Sequence, residues 1–458
     1  MSQWAEEEFG DANLGDPRRT RRLIAIATAR AQRPSASLPQ SFEDKAGLKA
    51  MYDFCDNPYV DRGAVLESHY QATARRVATE PVVLAVQDTT RVDYSHHPAT
   101  SGLGILEDKQ QHGLLLHSTL MVTPDRVPLG LTDQQIIYRD PAEFGKKHRR
   151  KQRPIEEKES RKWLDSLHAT ARLQAACPDT RLVSVGDREA DGYDVFLLSR
   201  DLQQDVLVRA AWNRAVDQEE RYLWDSLEQQ PVAGTVTVTV PRHGTQPGRT
   251  ATLTVQFAAV TLKPPRYRAR EHLPLLSVYG VLAREASPPA GVERIEWLLL
   301  TTVPVVTLAD ACERIQWYSC RWVIEIYHKV LKSGCRIEDR QLETAARLER
   351  YLAIDSVVAW RILGLTFQSR DTPDMSGEAF LDRDDWQALA CYMNHTLSPP
   401  QQPPTLKQAA LWIAKLGGFL GRKGDGDPGV TVMWRGLQRL YDLVAMWRLF
   451  NYSNDMVN

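Results

Sequence analysis

The chain has 458 residues, 43% of them hydrophobic and 25% charged, with a formal net charge of −1. These are the proportions of a soluble globular protein of about three domains, and the near-zero charge excludes one that coats nucleic acid by bulk basicity. No signal peptide or membrane span is expected: Met1–Glu8 is acidic, and the most apolar stretch, Trp297–Val306, is short and rich in Thr and Pro.

The first segment reads as helical over Asn13–Arg30 and Phe42–Asp56 and carries Arg18-Arg19-Thr20-Arg21-Arg22. Arginines at a helix start oppose the helix dipole. A solvated surface is the ordinary reading, and a phosphate partner would resolve the conflict. Pro81–Val86 is a short apolar run of the kind that forms a buried central strand, and it ends at Gln87-Asp88-Thr89-Thr90. Two further strands, Gly113–Thr123 and Gln134–Tyr138, flank Pro124-Asp125, which predicts an antiparallel hairpin. The basic run Lys146–Arg153 reads as a solvated loop, with phosphate contact as the alternative.

A helix is predicted over Ile155–Ala176, a buried strand over Arg181–Gly186 ending at Asp187, a helix over Gly192–Leu202 and a strand over Val206–Arg209. From Trp212 to Val305 the texture changes to alternating strands, with Thr235–Val240 the clearest, ending in Ile295–Leu300. One helix is expected over Trp317–Lys332 and another over Leu342–Thr366. Linkers at Asp371–Gly377 and Ser398–Pro404 precede helices Leu406–Leu420 and Trp434–Phe450. The six cysteines form no Cys-x-x-Cys pair, so reduced thiols in a cytosolic protein are expected.

On the Trp317–Lys332 helix, Tyr318, Arg321, Trp322, Glu325, Lys329 and Lys332 share one face, opposite an apolar stripe of Cys320, Val323, Ile324, Tyr327, Val330 and Leu331. On periodicity alone the polar face is a solvated one. Asp88 and Asp187, however, each follow a buried strand, and ligands gather at strand ends in α/β sheets. Asp187 also reads as a helix N-cap. If the two strands are neighbours and the helix packs beside them, three carboxylates converge, a hard oxygen donor set suited to Mg²⁺ or Mn²⁺.

Three motifs, Asp88-Thr89-Thr90, Asp187-Arg188-Glu189-Ala190-Asp191 and the Tyr318, Arg321, Glu325, Lys332 spacing, together with Ile295–Thr301 and Leu416–Phe419, give the chain a resemblance. It resembles the DDE transposases of the insertion-sequence type, of the kind carried by the bacterial transposon Tn-five. The resemblance implies an α/β fold: an RNase H-like mixed sheet with helices, interrupted by a β-rich insertion at about 212–305, plus helical N- and C-terminal regions. It implies a DNA-end-binding domain at 1–72, a catalytic domain at 73–370 and a dimerisation region at 371–458.

It further implies that Asp88, Asp187 and Glu325 are the catalytic metal ligands, for Mg²⁺ or Mn²⁺, two ions per site. Strand hydrolysis, hairpin formation, hairpin opening and strand transfer would all use that site. Tyr318, Arg321, Lys329, Lys332, Arg209, Arg18 and Arg19 would contact DNA. Trp297, which on sequence alone reads as a core residue, would support a flipped base. The implied partners are double-stranded DNA, as terminal repeats and target, and a second copy in a synaptic homodimer. The implied location is the bacterial cytoplasm, at the nucleoid. Two other classes stay open from the residues: an RNase H-like nuclease without strand transfer, and a non-catalytic DNA-binding derivative.

Overall fold

The computed structural model describes residues 3–42, 44–145, 157–240 and 248–452. The basic run at 146–153 lies outside the described residues. Among the described residues ten strands form one sheet: β1 (Val82–Asp93), β2 (Gly104–Ile105), β3 (His112–Val122), β4 (Pro128–Ile137), β5 (Arg181–Gly186), β6 (Asp205–Arg209), β7 (Gly234–Val240), β8 (Arg249–Leu262), β9 (Leu276–Glu285) and β10 (Glu296–Thr301). Their order is β2-β3-β1-β5-β6-β10-β9-β8-β7, with β4 also on β3. β1, β5 and β6 are parallel, and every other pairing is antiparallel. The fold is therefore α/β with a mixed sheet, as expected. The β-rich insertion forms no separate layer, because β10 pairs β6 and carries β9, β8 and β7 outward as an extension of the same sheet.

The helices are α1 (Gln3–Phe9), α2 (Pro17–Gln32), α3 (Leu38–Ser41), α4 (Lys45–Asp56), α5 (Arg62–Val77), α6 (Arg161–Ala176), α7 (Tyr193–Leu202), α8 (Leu223–Glu228), α9 (Leu308–Ser319), α10 (Trp322–Lys329), α11 (Ala345–Asp371), α12 (Arg383–Asn394), α13 (Leu406–Leu416) and α14 (Val430–Tyr452). Sequence periodicity missed α1, α3, α5, α8 and α12. α5 is buried on several sides by α1, α11 and β4, so it shows little amphipathic pattern.

α11 is the pivot of the molecule. Nearly every residue from Tyr351 to Thr366 is buried, as a helix apolar around its whole circumference must be. It touches α2, α4 and α5 from the N-terminal region, β4 of the sheet, α10, and α13 and α14 from the C-terminal region. Gln134 on β4 donates to Ser356 Oγ at 3.0 Å and lies 3.3 Å from the Tyr327 hydroxyl, which ties sheet, α10 and α11 together. The buried Arg30–Asp355 pair, 3.1 Å apart, fastens α2 to α11.

The expected helix over Trp317–Lys332 is not one helix. α9 starts at Leu308, capped by a Thr307–Asp310 capping box, and stops at Ser319. A tight turn follows, with Arg321 N–H bonded to the Tyr318 carbonyl and Val323 N–H to the Cys320 carbonyl. α10 then runs to Lys329, and Val330–Gly334 widens into a π turn. The apolar stripe is buried as expected: Cys320, Val323, Ile324, Tyr327, Val330 and Leu331 are all at most 2% exposed.

Candidate active site

β1 runs on through Asp88 to Asp93, so Asp88 does not stand past a strand end as the sequence suggests. Its parallel pairing with β5 stops at Val86–Val185, whereas its antiparallel pairing with β3 continues through Asp88–Ser118 to Asp93–Gly113. Asp88 therefore sits just past the last paired position of β5, and Asp187 directly follows the end of that strand. That residue leaves the strand and caps the short turn Arg188–Ala190, its carboxylate accepting from Glu189 N–H at 2.8 Å. Asp187 thus directly follows the end of β5 and acts as a cap, and the cap leaves its place at the strand end unchanged.

Glu325 arrives from α10, which packs on β1. Between it and Asp88 lies Arg321, the residue at the α9–α10 turn. Its Nη2 bonds Glu325 Oε1, and its Nη1 lies 3.9 Å from Asp88 Oδ2. Burial pushes the Asp88 carboxyl up to about 6. Arg321 and the Thr89 N–H pull it down, and the neighbouring Asp187 and Glu325 push it up again. Asp88 thus feels the charges of both Asp187 and Glu325.

The other expected residues divide. Burial pushes the Tyr318 phenol above its usual range, so it stays protonated; it faces Arg209, whose guanidinium also donates to the Glu296 carbonyl at 2.8 Å. Trp297 is half-buried, its ring edge-on to Tyr318 at 5.2 Å. Tyr318, Arg209 and Trp297 therefore form a shelf beside Arg321. Lys332 reaches Glu338 at 2.9 Å and donates to the Arg91 carbonyl at 2.9 Å. Lys329 is exposed and joins none of these contacts. Arg18 and Arg19 are in α2, away from this cluster: Arg18 is 82% exposed and pairs with Asp16, and Arg19 bonds the Leu14 carbonyl and lies over Tyr59.

Sequence reasoning missed His328 and Glu338. His328 is buried with Nδ1 3.8 Å from Asp88 Oδ2, and burial, then Lys332 and Arg321, push its pKa down to about 3, so it is a neutral imidazole. Its place three residues after Glu325 on one helix was the available signal.

Among the described residues, no three His, Cys, Asp or Glu side chains form a ready-made group able to hold a metal ion. The donor chemistry fits a hard divalent cation nonetheless. Asp88 is held above its usual range first by burial and then by the charges of Asp187 and Glu325, and a cation beside these carboxylates would relieve that repulsion. In this arrangement Arg321 supplies part of that relief.

Three family models match the chain. "Transposase DNA-binding" matches residues 1–60, "Transposase DDE domain" residues 154–359, and "Transposase Tn5 dimerisation domain" residues 357–454. Together they span most of its length in order. The second takes in Asp187 and Glu325; Asp88 lies before it and joins them through the β1–β5 pairing.

Proposed function

The chain belongs to the Tn5-type DDE transposases, metal-dependent enzymes that cleave DNA and transfer strands, and we propose that it moves its element by cut-and-paste through one site built on Asp88, Asp187 and Glu325. The observation that carries this reading is that Asp88 feels the charges of Asp187 and Glu325 and lies 3.9 Å from Arg321, which also bonds Glu325 beside Tyr318 and Arg209. In it, strand hydrolysis at the element's end frees a 3′-hydroxyl. That hydroxyl attacks the opposite strand to form a hairpin, water reopens the hairpin, and the 3′-hydroxyl attacks target DNA.

Asp88, Asp187 and Glu325 would hold Mg²⁺ or Mn²⁺, two ions per site. Such a pair would supply Lewis-acid activation of the attacking oxygen and charge for the leaving one. Arg321 offers a bidentate fork to phosphate, and Lys332 a point charge. Tyr318 offers a hydroxyl donor, and Arg209 and Lys329 add charge along the DNA path. Trp297, on the Tyr318 shelf, would stack on an unstacked base.

Residues 1–72 would read the terminal repeat, with Arg18 and Arg19 on phosphates. Residues 371–458 would form the dimer of the synaptic complex, to which Met446 and Leu449, 51% and 60% exposed near the end of α14, lend an apolar surface. Among the described residues no helix is long and apolar enough to cross a membrane. The bacterial nucleoid is the proposed place of action.

The test is incubation of the purified protein with Mg²⁺ and labelled terminal-repeat DNA taken from the gene's flanks. Nicked, hairpin and joined products are expected in succession. Nicks alone would reduce the protein to a nuclease. Glu325→Ala should lower cleavage by at least about a thousandfold and leave end binding within about twofold. Unchanged cleavage would remove Glu325 from the site.

A further inference from the structure

Two cations of the proposed DNA clamp are held by the protein's own acids. Lys332 sits on Glu338, and Arg321 bridges Glu325 and Asp88 with its side chain only 15% exposed. The Arg321 contact matters more, because the acids it occupies are two of the three proposed metal ligands. A cation that takes Asp88 and Glu325 must either displace the guanidinium or sit against its charge, and at such distances in a partly buried site like charges repel strongly. A DNA phosphate removes the obstacle. It offers the guanidinium a bidentate acceptor at least as good as Glu325 and brings negative charge of its own.

Resting on the metal reading given above, we infer that Arg321 is a positioning residue with two successive partners. In the free protein it holds Asp88 and Glu325 together as their counter-ion. When DNA arrives, its guanidinium turns to a phosphate and releases both carboxylates to the metal. Metal then loads well only after DNA, and by linkage metal tightens DNA to the same degree that DNA tightens metal. A transposase built this way does not arm its site in the absence of its substrate. Arg321 sits at the turn between α9 and α10, its N–H bonded to the Tyr318 carbonyl and its own carbonyl accepting from Ile324 N–H, so the backbone is fixed and the side chain is what moves between partners.

The experiment uses full-length protein and Mn²⁺, counting free ion by its paramagnetic resonance signal, with and without a duplex carrying the element's terminal repeat. In the wild type, DNA should raise Mn²⁺ affinity on the order of tenfold. Arg321→Gln, which keeps size but not charge, should bind Mn²⁺ on the order of tenfold more tightly than wild type without DNA, and DNA should then add little. Arg321→Lys, which keeps the charge, should bind as weakly as wild type in the free state; a rise equal to that of Arg321→Gln would overturn the inference.

Asp88→Asn separates the two readings. Mn²⁺ binding that survives Asp88→Asn overturns the metal assignment and this inference with it. Binding that is lost in Asp88→Asn but indifferent to Arg321→Gln overturns the inference alone.

Discussion

Asp88 is where function is bought with stability. Its carboxyl is pushed up to about 6, against 3.8 for the free side chain, so keeping it ionised in the metal-free fold at neutral pH is unfavourable. The sign follows from proton counts. Between 3.8 and about 6 the folded state binds more protons than the unfolded one, so this residue's penalty is full above pH 6 and is relieved as pH falls through that window. Asp88→Asn should therefore abolish cleavage yet stabilise the metal-free protein, by an amount on the order of 1 kcal/mol at pH 7. Thermal melts at pH 7 and pH 5 in chelator check it. The gain should shrink at pH 5, and a variant that melts lower than wild type at pH 7 would contradict the reading. Asp88 was legible as an acid following an apolar run, and Glu325 as a carboxylate on a polar helix face. His328 was legible only as a residue three places after Glu325 on one helix, a spacing it shares with core residues, so its approach to Asp88 was not. Arg321 was legible as a cation near Glu325, whereas its reach to Asp88, from another element, was not.

At the scale of elements, periodicity placed the faces better than the ends. The stripe from Cys320 to Leu331 is buried as its spacing requires, but nothing local marks the stop at Ser319, since neither Gly nor Pro stands there to break the helix. Helix α13 shows the opposite case. It was expected to reach Leu420 and ends at Leu416, where Gly417 caps it and Gly418 takes a φ of +96°. The glycine that matters most lies in α14. A Cβ on Gly436 would stand 1.8 Å from the Ile413 carbonyl oxygen, and one on Gly417 1.8 Å from that of Val432, so α13 and α14 cross with their backbones in contact. Gly436→Ala tests which effect wins. Helix propensity favours alanine by about 1 kcal/mol, whereas a clash with backbone cannot be relieved by a rotamer change and costs about 1–3 kcal/mol or more. Net destabilisation is expected, with loosening of α14 from α13 seen as earlier proteolysis of the C-terminal region. A variant more stable than wild type would show that the helices separate without cost.

Across the whole molecule, the three matched regions meet on α11, and Asp355 is the charge at that junction. It is fully buried among apolar neighbours, pairs with Arg30 of α2 at 3.1 Å and lies 4.0 Å from Arg340. Arg30 also donates to the carbonyls of Arg33 and Pro34, so one guanidinium secures the end of α2 and its following turn. Nothing in the sequence pairs these residues: they stand 325 positions apart, and an Asp in an apolar helix carries no sign of its partner. The helix that bears Arg18 and Arg19 is thus anchored to the helix that backs the catalytic sheet. Removing the acid alone strands two buried guanidinium groups, which costs about 3–5 kcal/mol, whereas replacing the pair with apolar side chains leaves no uncompensated charge. Asp355→Ala should accordingly lower the urea midpoint sharply, and Asp355→Leu with Arg30→Met should recover most of the loss. If the double variant is no better than the single one, the contribution lies in the Arg30 bonds to the turn carbonyls. In that case α2 is held by its own turn more than by α11.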